Sequence, residues 1–457
     1  MSLEPVKVNY EVGIVGGGSA GLWLAYWLSK RNISCVVVDE EPFAGYASTR
    51  NQGWLHSGAL YAGIGDEHAA IACKIGFDFI HEFTADNKMA DIIDEDLDCY
   101  LLFSERRFYD RAIQICIESK ASAGSEAGAE SEAGAKSEAG IQFEEIDVTE
   151  VPEQILEGQQ KFVAALKVKD RRINNHQLMG KVAELAGKAG TKFCAVPRIK
   201  DLDFSQGEQN WEIIAGGERI TCAVLVLTCG PYIPFMLERL VPEPNHGLQA
   251  TRIHVISIYG KVSQSLLATP QTLLGPSVVP FGLEGNTGVT ICLFREDEDI
   301  ETEEELSDLE ASQEELENRL NVVRRFYPGF AELVRTGELM ADVYICQKLK
   351  KEDPVHELQS VDAVKETPLS RERLLLSYEP NLIAYYPGKF TTAPTTSQDC
   401  ADEVEGMLAN LNLEIEPRND ADSVPIARQK YYREPQYEVY LEGQAIKVRL
   451  RPDDKIT

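Results

Sequence analysis

An α/β fold opening on a βαβ unit is what this sequence predicts, and three observations carry the reading. Val12-Gly13-Ile14-Val15 is a short apolar run, Leu22 to Lys30 is helix-compatible and apolar on most sides, and Cys35-Val36-Val37-Val38 is a β-branched run, so the order is strand, helix, strand. Between the first strand and the helix lies a glycine turn, Gly16-Gly17-Gly18-Ser19-Ala20-Gly21. Further on, short apolar strands again alternate with helical spacing. Asn174 to Ala189 sets Leu178, Val182, Leu185 and Ala189 on one face, Thr191 to Pro197 reads as a strand, and Ala223 to Leu227 is another, stopped by Cys229-Gly230-Pro231. Such alternation builds a sheet covered by helices.

The turn is the first element with chemistry in it. Gly16, Gly18 and Gly21 sit between strand and helix, and Asp39 ends the following strand. In a dinucleotide site the first glycine permits the tight turn, the second lets backbone amides approach the pyrophosphate, and the third lets helix and strand pack closely. The N-terminus of the helix after the turn then faces the phosphates, with Ser19 of the turn as a further cofactor contact, and Asp39 can accept from the ribose hydroxyls. The string also matches G-x-S-x-G, the nucleophile elbow of hydrolases, but that reading explains neither Gly16 nor the placement of Asp39.

Composition bounds the rest. A chain of 457 residues with 44% hydrophobic and 26% charged residues is that of an ordinary globular protein of two or three domains, which excludes global disorder and fibrous classes. Lys plus Arg number 45 and Asp plus Glu 74, for a net charge of −29, which argues against nucleic acid or anionic lipid held by an overall positive field. It leaves room for a small anion in a local basic pocket. No run of about 18 apolar residues predicts an integral membrane segment. Met1 to Tyr10 lacks the basic and apolar regions of a secretory signal, so the expected address is cytoplasmic. The ten cysteines form no CxxC pair and read as buried small hydrophobes; the histidines show no HxxxH spacing, so no metal is expected.

Two stretches depart from the α/β pattern. Ser125 to Gly140 repeats SEAG and reads as an exposed low-complexity insertion. Glu296 to Glu317 holds 13 acids and no base. Within it Thr302-Glu303-Glu304-Glu305 has the form of a capping box, and Leu306, Leu309, Leu316, Leu320 and Val323 recur at helical spacing, predicting an amphipathic surface helix.

Ser48-Thr49-Arg50-Asn51-Gln52-Gly53-Trp54-Leu55-His56-Ser57-Gly58 adds short hydrogen-bonding side chains and a histidine. Here the sequence resembles the FAD-dependent oxidoreductases of the D-amino-acid oxidase and glycerol-3-phosphate dehydrogenase superfamily, and the string from Asn51 to Gly58 is similar to that of its L-2-hydroxyglutarate oxidases and dehydrogenases. The resemblance implies Thr49 and Asn51 as FAD contacts and His56 beside the isoalloxazine. Asp170-Arg171-Arg172-Ile173-Asn174 and the helix after it resemble the segment before the second FAD-contacting strand, which implies a backbone contact from Val196 on the adenine side. Leu225 to Gly230 resembles the strand and turn where the chain passes the cofactor, implying a contact at Gly230.

Near the C-terminus, Tyr386-Pro387-Gly388-Lys389-Phe390-Thr391-Thr392 resembles the GGKxTT string of the glycerol-3-phosphate dehydrogenases. That implies Gly388, Lys389, Thr391 and Thr392 near the flavin, at the start of a helix whose free amides favour negative charge on the N1–C2=O edge. A second pair, Thr395-Thr396, follows, and either pair can be the cap.

Together the resemblance implies a Rossmann-like FAD-binding domain of the glutathione-reductase type with an α+β substrate cap domain. The FAD-binding parts are expected at 1–91, 167–247 and 368–411, the cap at 92–166, with a low-complexity insertion at 122–140, and at 248–367, and a tail at 412–457. In the tail, Gln436 to Tyr440 and Ala445 to Leu450 read as paired strands. The implied reaction takes hydride from a small, anionic hydroxy compound, a 2-hydroxy acid or glycerol 3-phosphate, to flavin N5, with oxygen, a quinone or a carrier protein as final electron acceptor. His56 is the candidate base, since histidine ordinarily titrates near neutrality; a hydrogen-bonding role without proton transfer and a covalent flavin link are the other readings of it. The area in which an anion-binding Arg is expected carries Lys348, Lys350 and Lys351, with Arg252 and Arg295 as further candidates. Amine or amino-acid oxidation on the same fold, and a flavoprotein with structural or sensory FAD, are the competing functions.

Overall fold

The structure, a computed structural model, describes residues 6–40, 43–51, 53–96, 98–125, 140–151, 162–215, 217–242, 244, 246–260, 269–272, 277–283, 286–292, 298–307, 318, 320–321, 323–324, 328–351, 374–378, 381–415, 436–441 and 444–449. The elements that position the site are, in chain order, β1 (Tyr10–Val15), α1 (Ser19–Lys30), β2 (Cys35–Glu40), α2 (Glu67–Asp86), α3 (Asn175–Lys188), β3 (Lys192–Val196), β4 (Glu218–Leu227), β5 (Leu248–Gly260), β6 (Leu339–Lys351), β7 (Leu382–Tyr386) and α4 (Ala393–Leu408).

Strands β3, β2, β1, β4 and β7 lie side by side, all parallel. Their Val, Ile and Leu residues are buried on both faces, as helices on one side and further chain on the other require. On one face Val12, Ile14, Val37, Val224 and Val226 meet Leu22, Leu24 and Leu28 of α1, Leu178 and Val182 of α3 and Cys400 and Val404 of α4. On the other, Val15, Val36, Val38, Leu225 and Leu227 pack with Tyr232, Leu248, Ala250 and Leu349, where β5 and β6 come down onto the sheet. One edge of β4 is divided. Its first half pairs antiparallel with Trp211–Ala215 and its last residues, Leu225 to Leu227, pair in parallel with β7.

β5 and β6 run antiparallel along their whole length, from Leu248 opposite Lys351 to Gly260 opposite Leu339, at the centre of a second sheet. A smaller sheet sets Thr269–Thr272 beside Cys99–Phe103, so both segments expected to form the cap contribute to it. The strands expected in the tail pair as Gln436–Leu441 with Gln444–Arg449, and the second lies parallel to β6. Leu413–Ile415, the first residues of the expected tail, pair instead in parallel with Val6–Val8, which ties them to the first sheet.

Residues 126–139 of the SEAG repeat and 308–317 of the acidic stretch lie outside the described residues. Before the latter, Glu305 Oε2 accepts from the Glu301 and Thr302 amides, one half of a capping box, and Glu304–Ser307 forms a 3-10 turn with Leu306 buried. Leu320 and Val323 are buried as well. Among the described residues no helix is long and apolar enough to cross a membrane, and no three His, Cys, Asp or Glu side chains are grouped to hold a metal ion.

Candidate active site

The glycine turn joins β1 to α1 with each glycine bound to a different neighbour. Gly16 has φ +111°, and a Cβ there would stand 2.6 Å from the Cys229 amide nitrogen. Thr228 Oγ1 donates to Gly16 O at 2.7 Å, so the turn after β1 and the turn after β4 lock together. A Cβ on Gly21 would lie 1.9 Å from Gly16 O, which is how closely α1 sits on the strand. Gly18 is open by comparison: its Cβ would meet the Ser48 hydroxyl at 3.0 Å. Ser19 at the start of α1 is buried, and its hydroxyl has no hydrogen-bond partner in the protein, so the base that a nucleophile elbow needs is not there.

Asp39 closes this end. Its Oδ2 accepts from the Gly17 amide and its Oδ1 from the Glu40 amide at 2.7 Å. Burial outweighs those two bonds and pushes the carboxyl up to about 7. A continuous cleft runs from Asp39 along Gly16, Gly18 and Ser19, past Asn51 and Gly230, to His56, Lys348, Gly388, Lys389 and Thr391.

Some expected contacts lie elsewhere. Val196 is buried in the core, opposite Glu40 in register, and Ile199, three residues on, lines the cleft. Thr49 donates its hydroxyl to Ala44 O within a local turn, and its neighbour Ser48 reaches the cleft instead, accepting from the Ser19 amide at 2.7 Å. Asn51 lines the cleft while bracing its own segment: it donates to Ser48 O at 2.8 Å and accepts from Asn175 of α3 at 2.6 Å. Gly21 acts in packing and does not line the cleft, and Gly230 lines it with φ +56°.

At the C-terminal end, Gly388 has φ +79° and turns the chain from β7 toward α4. Of the two threonine pairs, Thr391-Thr392 stands at the helix start. Thr392 is the N-cap residue by position, its hydroxyl donating back to Pro387 O at 2.7 Å, while Thr396 lies in the first turn with its amide on Thr392 O. Thr391 Oγ1 accepts from the His56 amide at 3.2 Å, and a Cβ on Gly76 of α2 would stand 2.1 Å from Thr391 O. The Lys389 ammonium lies 5.6 Å over the Tyr61 ring.

His56 is 8% exposed. The Trp54 ring stacks on its imidazole and Tyr61 meets it edge-on. Its Nδ1 lies 2.9 Å from Asp170 Oδ2, and Asp170 Oδ1 accepts from the Ser57 amide at 2.8 Å and from the Ser57 hydroxyl. Asp170 and Ser57 are the site residues that sequence reasoning passed over. The signal was present, since Asp170 opens a quoted motif and Ser57 follows His56 directly, but only the fold brings residues 56 and 170 together. Of the candidate cations, Lys348 lines the cleft, Lys350 pairs with Asp299 at 2.5 Å and Arg252 with Glu298 at 3.3 Å. Arg295 and the side chain of Lys351 lie outside the described residues.

This geometry fits FAD. An opening above Gly18, an unpartnered hydroxyl at a helix N-terminus and a buried carboxylate at the next strand end suit a dinucleotide, and the cleft continues to an imidazole beyond it. Comparison with known proteins agrees. Over a 67-residue stretch, 15% of this chain and 12% of the other, the chain is 37% identical to one component of the anaerobic glycerol-3-phosphate dehydrogenase of Haemophilus influenzae, so it spans only a small part of that relative. The fold is that of glycine oxidase from Geobacillus kaustophilus, with a TM-score of 0.62 at 14% identity over 93% of this chain and 100% of that one. L-proline dehydrogenase from P. horikoshii gives 0.63 at 13% identity over 89% and 96%. Residues 11–343 match the family of FAD dependent oxidoreductases, well over half of the 457, and the chain belongs to that family as an FAD-binding oxidoreductase.

Proposed function

We propose that this oxidoreductase acts on a small, anionic hydroxy compound, a 2-hydroxy acid or glycerol 3-phosphate, with His56 as its base. The observation that carries the reading is an imidazole in the cleft with Nδ1 already engaged, so that Nε2 is the nitrogen left for substrate. Oxidising an alcohol to a carbonyl removes a hydride from carbon and a proton from oxygen, and the proton needs an acceptor. A neutral amine can expel hydride by using its own nitrogen lone pair and has less need of one. Bound FAD supplies the two-electron acceptor. Gly16, Gly18 and Ser19 hold its pyrophosphate, Asp39 its ribose, and Gly230, Gly388 and Lys389 its flavin end, while Asn51, Thr391 and Thr392 brace the walls around it.

The charge of the cleft supports an anion. Lys348 and Lys389 line it with His56, in a protein of net charge −29, and the acid in its lining, Asp39, ends β2 and accepts from the Gly17 amide of the glycine turn. Anaerobic mixing of the yellow protein with L-2-hydroxyglutarate, glycerol 3-phosphate and an amino-acid panel tests the proposal. Flavin absorbance should bleach with a hydroxy compound; bleaching by amino acids alone would replace this reading with amine oxidation.

A further inference from the structure

We infer that Asp170 is a positioning residue that fixes His56 in the tautomer a base at Nε2 requires, with Ser57 holding the carboxylate in place; the inference rests on the reading of His56 as the base. An ionised carboxylate only accepts hydrogen bonds. At 2.9 Å from Asp170 Oδ2, Nδ1 must therefore carry the hydrogen, and the lone pair of neutral His56 falls on Nε2. The carboxylate cannot turn away, because Ser57 binds Oδ1 through both its amide and its hydroxyl and the Asp170 side chain is fully buried. The ring is confined as well, stacked on Trp54 with centroids 6.0 Å apart and met by Tyr61 at 5.4 Å. Thr391 takes the His56 amide, so the backbone carrying the ring is tied to the start of α4.

The arrangement also handles the product of proton transfer. The substrate O–H bond breaks, its proton forms a bond to Nε2, and the resulting imidazolium still directs its Nδ1–H at Asp170. Charge created in the buried site thus appears next to an opposite charge already there. Lys389, over the Tyr61 ring, and Lys348 are the other cations that line the cleft, so Asp170 is the anion in contact with the ring.

The test uses the FAD-loaded full chain. In ¹⁵N-histidine-labelled protein, the resonances of His56 are identified by their loss in His56→Ala, and the neutral ring should show its hydrogen on Nδ1. Asp170→Asn keeps the volume but offers the ring an amide N–H, so the hydrogen should move to Nε2. Anaerobic bleaching should slow about 100-fold or more, with FAD retained and the substrate dissociation constant little changed. Asp170→Glu, which restores an acceptor, should recover the Nδ1–H form. Native His56 with its hydrogen on Nε2 overturns the inference, and that measurement stands even if the Asn variant fails to fold. Slow bleaching in His56→Ala but native speed in Asp170→Asn sinks the role of Asp170 alone; native speed in both sinks the base reading itself.

Discussion

Gly18 and Gly21 stand three residues apart and face opposite neighbours, so their substitutions should fail in different ways. A methyl on Gly21 meets Gly16 O at 1.9 Å, inside the protein's own packing. Gly21→Ala should lower stability by about 1–3 kcal/mol or more, read as a fall in the denaturant midpoint of the apoprotein. Gly18 has ordinary extended backbone, φ −75°, and one near neighbour, the Ser48 hydroxyl. Gly18→Val should therefore fold with a near-native midpoint and purify colourless, because its methyls occupy the pyrophosphate path. Asp39 adds a pH dependence whose sign follows from its raised carboxyl. The folded apoprotein keeps this proton up to about 7, whereas the unfolded chain loses it in the ordinary carboxylate range, so the associated stability fades as pH rises through about 7. Ribose hydroxyls donate to the ionised form. FAD affinity should accordingly rise as pH increases through about 7, with proton release on binding measurable by calorimetry in buffers of different ionisation enthalpy, and Asp39→Asn should flatten the profile.

At the scale of elements, legibility followed sequence distance. The unit β1, α1 and β2 could be read directly because its signals are local: an apolar run, a glycine turn, a second apolar run. The cap could not, since β5 and β6 pair over their full length only because each is the other's partner, and neither alternates cleanly enough to announce it. Gly16, Gly18, Asp39 and His56, which line the cleft, stand in motifs, whereas Asp170 reaches His56 by a contact across 114 positions. Val196 ends a strand, which is legible in sequence, whereas Ile199, which lines the cleft, lies in the turn beyond it, which is not. The choice between the two threonine pairs was settled by a residue far away in the chain. Gly76 lets α2 touch the Thr391 carbonyl, and only that pair sits at such an approach. Gly76→Ala should push α2 off the start of α4, cost about 1–3 kcal/mol, and slow flavin bleaching, since Thr391 also holds the His56 amide.

For the whole molecule, net charge says less about substrate than about the acidic stretch at 296–317, which holds 13 of the 74 acids. FAD itself should act as a clamp, because the residues that line the cleft, among them Gly16, Asp39, His56, Gly230, Lys348 and Thr391, come from segments far apart in the sequence. Added at a hundred times its dissociation constant, it should stabilise the apoprotein by about 2.7 kcal/mol, seen as a rise in melting temperature that Gly18→Val does not show. The divided edge of β4 bears on how the protein is made. Its first half is filled by Trp211–Ala215, a sequence neighbour that pairs as soon as both strands exist, but its last residues wait for Leu382–Tyr386. During synthesis that gap stays open while the whole of β5 and β6 is translated, and the residues beyond β7 that wall the flavin end, Pro387 to Thr391, emerge later still. The cleft has its last wall only once Pro387 to Thr391 have been made, so loading with FAD follows the synthesis of that segment.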